Sequence, residues 1–203
     1  MQTEFTFFNN RKPLTEQVFD TLPTVRVKQV HSADVIKVDA PLTEWVEADA
    51  LVTRTPNLPI GVITADCAPI ILMSDNVVGA AHAGWQGAVA GVLENTVQAM
   101  KTESENIVVY IGPCIAQKSY EVSVGFETPF LDHDPLAEKF FMPGREGKLH
   151  FDLAGYCAFR LSACGVRKIH IDGRDTLTDP NFYSHRGGAT AIQRNLSAVM
   201  IKG

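Results

Sequence analysis

A chain of 203 residues, 45% hydrophobic and 20% charged, has the composition of an ordinary soluble globular protein. Its 23 acidic and 18 basic residues leave a net charge of −5, and no Lys/Arg cluster supplies the basic face that nucleic acid or an anionic membrane requires. No apolar run reaches the roughly 18 residues of a membrane span, and the opening MQTEFTFFNN lacks the charged start and apolar core of a signal peptide.

Residues 24–39 (TVRVKQVHSADVIKVD) alternate in polarity, which predicts two short strands meeting at His31-Ser32-Ala33-Asp34. Apolar runs rich in β-branched residues predict strands at 49–53, 60–65 and 69–73, interrupted by Asp66-Cys67. Another strand over 77–81 leads into His82-Ala83-Gly84-Trp85. The period then changes. Val89, Val92, Leu93, Val97 and Met100 share one face of a helix expected from about Trp85 to Lys101. Residues 107–111 return to strand. A second helix is expected from Asp152, its N-cap, to Cys164, with Leu153, Tyr156, Cys157 and Leu161 also on its apolar face and Gly165 as terminator. Residues 166–172 read as a strand, and the last dozen residues fit either a strand or a helix.

No repeat, low-complexity tract or Pro/Ser linker divides the chain, so one domain over 1–203 is expected. Strands outnumber helices and follow one another through short loops. That pattern predicts a mixed-sheet α/β (α+β) protein, not a doubly wound parallel sheet. The cysteines at 67, 114, 157 and 164 lack the spacing of a disulfide scaffold, so reduced thiols in the cytoplasm are expected.

Three residues carry the chemistry. His31, Cys67 and His82 stand where predicted strands end, beside turn-forming residues, and two imidazoles with one thiolate are a ligand set for zinc with a fourth position open. Metal ligands need outer partners, and Gln29, Asp34, Asp49 and Asp66 are near enough in sequence to serve. Each ligand alone also reads as a core cysteine or a satisfied histidine. A metal-free alternative makes Cys67 a nucleophile and His82 its base. Gly84 and Gly87 leave backbone N–H groups for an anion, or simply permit a tight turn into the helix. Arg186 could grip phosphate or a sugar hydroxyl, and His185 could relay protons; both could equally be solvated loop residues. Cys114, Cys157 and Cys164 read as structural, and His133, His150 and His170 as surface or core polar residues.

The motifs QVHSAD, DALVT, TADCAPI, AAHAGWQG, IGPCIAQKSYEV, DLAGY and DTLTDPNFYSHR follow in order from about residue 25 to 186. In this the chain resembles the YfiH/YlmD family, also called the multicopper polyphenol oxidase or laccase-domain family. The resemblance implies a compact sandwich of mixed β-sheets with flanking helices, related to the catalytic domain of cytotoxic necrotizing factor. It implies zinc on His31, Cys67 and His82. It also implies phosphorolysis of adenosine, inosine, guanosine and methylthioadenosine together with adenosine deamination. Gln29, Asp66 and Arg186 are the expected substrate contacts. The expected partners are a purine nucleoside and phosphate, with no nucleic acid or membrane, on a monomer.

Two departures bear on anion binding. Where the family has Arg after the HAGW motif this chain has Gln86, and the family's second Arg and Asp of SYRRDG are Gly187 and Gly188. Phosphate affinity is expected to be weaker for it. The competing readings are a copper-dependent polyphenol oxidase, a cysteine hydrolase of cell-wall or peptide substrates, and a non-enzymatic metal-binding module. Six histidines are too few for a four-copper cluster, and copper on a His₂Cys set would be adventitious.

Overall fold

Side-chain alternation along the β-branched runs divides them between two cores, and this sets the layering of the molecule. The computed structural model describes residues 2–7, 19 and 23–203. Its central layer is a six-stranded sheet of β2 (Val35–Lys37), β3 (Ala50–Thr53), β5 (Ala68–Ser74), β6 (Val77–Ala83), β7 (Val108–Ile111) and β11 (Lys168–Ile171), in the order β11-β7-β5-β6-β3-β2. Only the outer pairs β11/β7 and β2/β3 are parallel. β5 and β6 form a hairpin over seven paired positions, Ala68↔Ala83 to Ser74↔Val77.

On one face, Ile70, Leu72, Val77, Ala81, Val109 and Ile111 pack against helices. These are α1 (Trp85–Ala90), α2 (Val92–Met100) and α4 (Leu153–Ala163). They contribute Ala88, then Val92, Leu93, Val97 and Met100, then Leu153, Tyr156, Cys157 and Leu161. On the other face, Leu51, Ile71, Val78 and Ala80 meet a second, antiparallel sheet. It consists of β1 (Gln2–Phe7), β12 (Asn195–Lys202) and β4 (Ile60–Thr64), in the order β1-β12-β4. Ile60, Val62, Val199 and Ile201 fill that interlayer, each fully buried. Burying each such aliphatic side chain contributes roughly 1.5–3 kcal/mol. A small sheet of β8 (Glu121–Ser123), β10 (Lys148–Phe151) and β9 (Phe141–Pro143), with α3 (Thr128–His133), closes the helical side through an aromatic cluster around Phe126, Phe130 and Phe151.

Two expectations change, and a choice left open is decided. The expected single helix over 85–101 is two helices, because Gly91 sits at φ 102°, ending α1 and starting α2. Only glycine occupies that region without a steric penalty. The apolar face nevertheless continues across the break, which is why the periodicity reads as one helix. In 24–39 only Val35–Lys37 forms a regular strand. Val25 and Lys28 make isolated bridges to Ile60 and Glu47, so their backbone bonds go to two different elements instead of to each other. The last residues form β12, a strand buried between β1 and β4.

Arg160 joins α4 to the α1–α2 break. Its guanidinium pairs with Glu94, and Nη1 donates to the Ala88 carbonyl at 2.9 Å and to the Tyr156 hydroxyl at 2.7 Å. Arg160 is buried and Glu94 half-buried, so removing the arginine leaves a poorly solvated carboxylate without its partner. Arg160→Met should therefore lower unfolding stability by about 3 kcal/mol in urea titrations, and the double variant with Glu94→Leu should recover most of it. A double variant as unstable as Arg160→Met would overturn the pair as the cause.

Candidate functional site

The interlayer between the two sheets opens at one end, and side-chain parity aims two of the three candidate ligands there. Along β6, Val78 and Ala80 face the interlayer, so His82 does too, while Ala81 and Ala83 face the helices. At the start of β5, Ile71 faces the interlayer and Ala68 and Ile70 face the helices, which turns Cys67 to the same side as His82. His31 arrives on the loop that follows the Lys28 bridge, at φ 62°. The three ligand atoms lie within 4.8 Å of one another, and Cys67 Sγ is 3.9 Å from His31 Nε2. The two imidazole rings stand 4.8 Å apart at 75°. His82 is buried, Cys67 half-buried and His31 exposed, so the cluster has one open side.

Asp49 organises this cluster from beneath. Fully buried just before β3, its carboxylate accepts from the backbone N–H groups of Val30 (3.1 Å), His31 (3.0 Å) and Ser32 (2.6 Å), from the Ser32 hydroxyl (3.0 Å), and from His82 Nδ1 (2.7 Å). One side chain thus holds the strained His31 turn and fixes the His82 tautomer, leaving Nε2 for the site. Burial pushes the Asp49 carboxyl upward, but the hydrogen bonds from His82, Ser32 and Val30 outweigh it and hold the pKa at about 2. Burial opposes charge on His82 as well, yet Asp49 and Cys67 raise it to about 9. The Cys67 thiol, pushed up by burial, is drawn down to about 6 by His31 and His82. The donor set suits a borderline metal ion: a thiol drawn toward thiolate, an imidazole oriented by Asp49 whose Nε2 proton a metal ion would displace, and one exposed imidazole. Gly84 leaves the room, since a Cβ there would lie 2.6 Å from His31 Cδ2 and 3.2 Å from Cys67 Sγ.

The other expected residues divide. Of the four candidate partners of the trio, Asp49 is the one whose side chain bonds it, through the His31 N–H and His82 Nδ1. Asp34 contributes its backbone carbonyl to the N–H groups of Asp49 and Ala50. The Gln29 amide clamps both the N–H and the carbonyl of Ile63, at 2.8 and 2.7 Å, while lining the cleft beside the trio. Asp66, at φ 86°, accepts from the Thr176 hydroxyl and the Arg186 N–H, each at 2.7 Å, and so ties the 175–186 loop to the Cys67 turn. The Arg186 guanidinium donates to the Glu121 carbonyl at 2.9 Å, lies over the Tyr120 ring and is outside the cleft lining, whereas His185 is part of it. Gln86, Gly187 and Gly188 are exposed and outside that lining. Cys114 and Cys157 are buried, Cys164 is half-buried, and burial pushes all three thiols up. His150 bonds the Gln117 carbonyl and His170 stacks on Tyr110.

The trio forms part of the wall of a cleft of about 670 Å³ that also takes in Arg26, Lys28, Trp45, Thr64 and Arg194. None of these five stands out in the sequence. Arg26 and Lys28 carry a weak signal: they alternate with Val25 and Val27, whose side chains enter the interlayer core. Lys28 pairs with Glu47 at 2.8 Å, and Arg194 Nη1 is anchored on the carbonyls of Thr190 and Gln193. Among the described residues, none accepts a hydrogen bond from Arg26.

The Asp49–His82 pair has a defined pH window. Asp49, depressed from 3.8 to about 2, stabilises the fold in full above pH 3.8, and that share is lost as pH falls toward 2. His82, raised from 6.5 to about 9, stabilises in full below pH 6.5, and its share is lost as pH rises through 9. Asp49→Asn in metal-free protein should therefore cost roughly 2 kcal/mol near pH 6 by urea unfolding, with the deficit narrowing toward both pH 2 and pH 10. A deficit that stays flat across pH would overturn the ionic reading of the pair.

The chain matches the family model described as multi-copper polyphenol oxidoreductase laccase over residues 6–202. It is 35% identical to a Rickettsia prowazekii protein named purine nucleoside phosphorylase, over 87% of this chain and 77% of that one. A Deinococcus radiodurans protein of the same name is 36% identical over 86% of this chain and 68% of its own length. Among solved structures, the Neisseria meningitidis protein NMB0706 superposes with a TM-score of 0.84 at 33% identity, covering 90% of this chain and 76% of that one. YlmD from Geobacillus stearothermophilus does so with a TM-score of 0.76 at 25% identity, covering 88% and 73%. With the family model spanning nearly its whole length, the chain belongs to the multi-copper polyphenol oxidoreductase laccase family, that of the YfiH and YlmD proteins.

Proposed function

We propose that this protein is a zinc-dependent purine nucleoside enzyme that cleaves adenosine, inosine, guanosine and methylthioadenosine with phosphate, and that also deaminates adenosine. It acts as one catalytic domain over residues 1–203, expected to be a cytoplasmic monomer, and its fold relation to the cytotoxic necrotizing factor catalytic domain belongs to the same reading. The observation that carries the proposal is the His31/Cys67/His82 cluster on the wall of a nucleoside-sized cleft lined by cations. The purine nucleoside phosphorylase names of relatives near 35% identity support it. No described helix is long and apolar enough to cross a membrane.

Zinc, when bound by His31, Cys67 and His82, supplies Lewis-acid polarisation. The protein's own groups do the rest. Asp49 holds the proton on His82 Nδ1 and so keeps Nε2 directed into the site. Arg26 and Arg194 bring positive charge to the cleft, which favours phosphate. The exposed Trp45 indole gives the purine a face to stack on. In phosphorolysis a phosphate oxygen bonds C1′ as the C1′–N9 bond breaks, and the purine takes up a proton. His185, on the cleft wall, is the ring we assign to carry that proton. In deamination water replaces the 6-amino group and ammonia leaves. With Arg186 outside the cleft lining, the phosphate role expected of it passes to Arg26 and Arg194, which are part of that lining. Gln29 and Asp66 then act on substrate through the backbone they hold.

Two observations favour other readings. The family model's description points to copper chemistry, but among the described residues this trio is the one group of three or more such ligands placed to hold a metal. A lowered Cys67 pKa also suits a cysteine nucleophile. One experiment separates them: metal analysis of fresh protein beside purine release with and without phosphate, and phenol oxidation in parallel. We expect zinc and phosphate-dependent purine release. Cys67→Ala should abolish zinc binding and cut the rate by more than roughly a hundredfold, beyond the loss typical of outer-shell changes. Full activity in chelated protein with a trapped thioester would sink the zinc reading, and phenol turnover exceeding nucleoside turnover would replace it with the copper one.

A further inference from the structure

Three buried side-chain oxygens among the described residues lack a hydrogen-bond partner: Thr24 Oγ1, Thr64 Oγ1 and Glu94 Oε2. Glu94 is engaged through its other oxygen by Arg160, and Thr24 lies in a separate, shallower pocket. Thr64 is different. It is 1% exposed, closes β4, and lines the same cleft as Cys67 and His82. Ile60 and Val62 on its strand face the interlayer, so side-chain parity turns Thr64 toward the open end where the trio stands. A buried hydroxyl without a partner is rare in native proteins, and one on the wall of a cleft is placed to take its partner from a molecule bound there.

We propose that the Thr64 hydroxyl is a substrate contact, hydrogen-bonding a ribose hydroxyl of the nucleoside. The inference rests on the nucleoside reading above and names which part of the substrate lies against the trio. A hydroxyl both donates and accepts, which matches a sugar hydroxyl that also does both. Phosphate is better served by the cationic donors of Arg26 and Arg194, and the base by the Trp45 indole, which is 67% exposed. That leaves the sugar for the small neutral group beside Cys67 and His82. There C1′ comes within reach of the groups that act on it.

Thr64→Val keeps the β-branched shape and removes the hydroxyl. With inosine and phosphate, kcat/KM should fall about tenfold, and Thr64→Ser should restore it to within about threefold. Zinc content should hold and the thermal midpoint should stay level or rise, since a methyl replaces an unpaired hydroxyl. The discriminating arm uses 2′-deoxyinosine and 3′-deoxyinosine. For the one lacking the contacted hydroxyl, Thr64→Val should cost no more than about twofold, because that bond is already gone. Equal losses on all three nucleosides, no loss on inosine, or a lowered thermal midpoint would overturn the contact while leaving the nucleoside reading intact. Wild-type protein inactive on every nucleoside would overturn that reading, and the contact with it.

Discussion

A carboxylate with no exposure to water must give its charge to something, and in this protein Asp49 gives it to both halves of the site. Its oxygens collect the N–H groups of Val30, His31 and Ser32 and the Nδ1 of His82. The first set holds a loop with a non-glycine residue at φ 62°, a conformation that needs its surroundings to impose it. The second orients a buried imidazole. The backbone around Asp49 is equally committed: its N–H bonds the Asp34 carbonyl, and its own carbonyl accepts from the His82 N–H. The His31 loop, β3 and β6 are therefore locked to one another at the point where the three candidate ligands emerge.

The sandwich explains why that point is accessible. Two sheets share an apolar interlayer, and the central sheet shares a second core with the helices. Alternation sends every second residue of β5 and β6 into the interlayer until it runs out of aliphatic side chains. At that end Cys67, His82 and Thr64 occupy the positions that Ile71, Val78 and Val62 fill deeper in. The site is a polar continuation of a core layer, reached from one side. Polar groups placed there are costly unless paired, so His82 exchanges strong shifts in proton affinity with Asp49 on one side and Cys67 on the other.

The two residues with left-handed backbone beside the trio, His31 and Asp66, do complementary work. The first carries a candidate ligand. The second uses its carboxylate to hold Thr176 and the Arg186 N–H, anchoring the loop whose His185 forms part of the cleft wall. Glycines serve where two elements must approach: a Cβ on Gly84 would intrude on His31 and Cys67, and one on Gly87 would meet the Ser32 carbonyl at 2.9 Å. The HAGWQG stretch is thereby a packing requirement of the site as much as the start of α1.

By itself, the sequence determined the mixed α/β class, the strands of the central sheet, the apolar helix faces and which three residues are the candidate ligands, because these depend on local period and on residue chemistry. The tertiary structure decided the rest, where hydrogen bonds are shared between distant segments. Residues 24–30 alternate like a strand but divide their bonds between Pro59 and Val46. Gly91 breaks a helix whose apolar stripe runs on unbroken. Asp34, Asp49 and Asp66 are equivalent as neighbours in sequence, and only packing singled out Asp49. Arg186 belongs to a recognisable motif yet turns to Tyr120, while Arg26, Trp45, Thr64 and Arg194 join the cleft without any motif of their own. Residue type and spacing report what a side chain can do; the direction it points, and the groups that meet it there, are set only when the layers close.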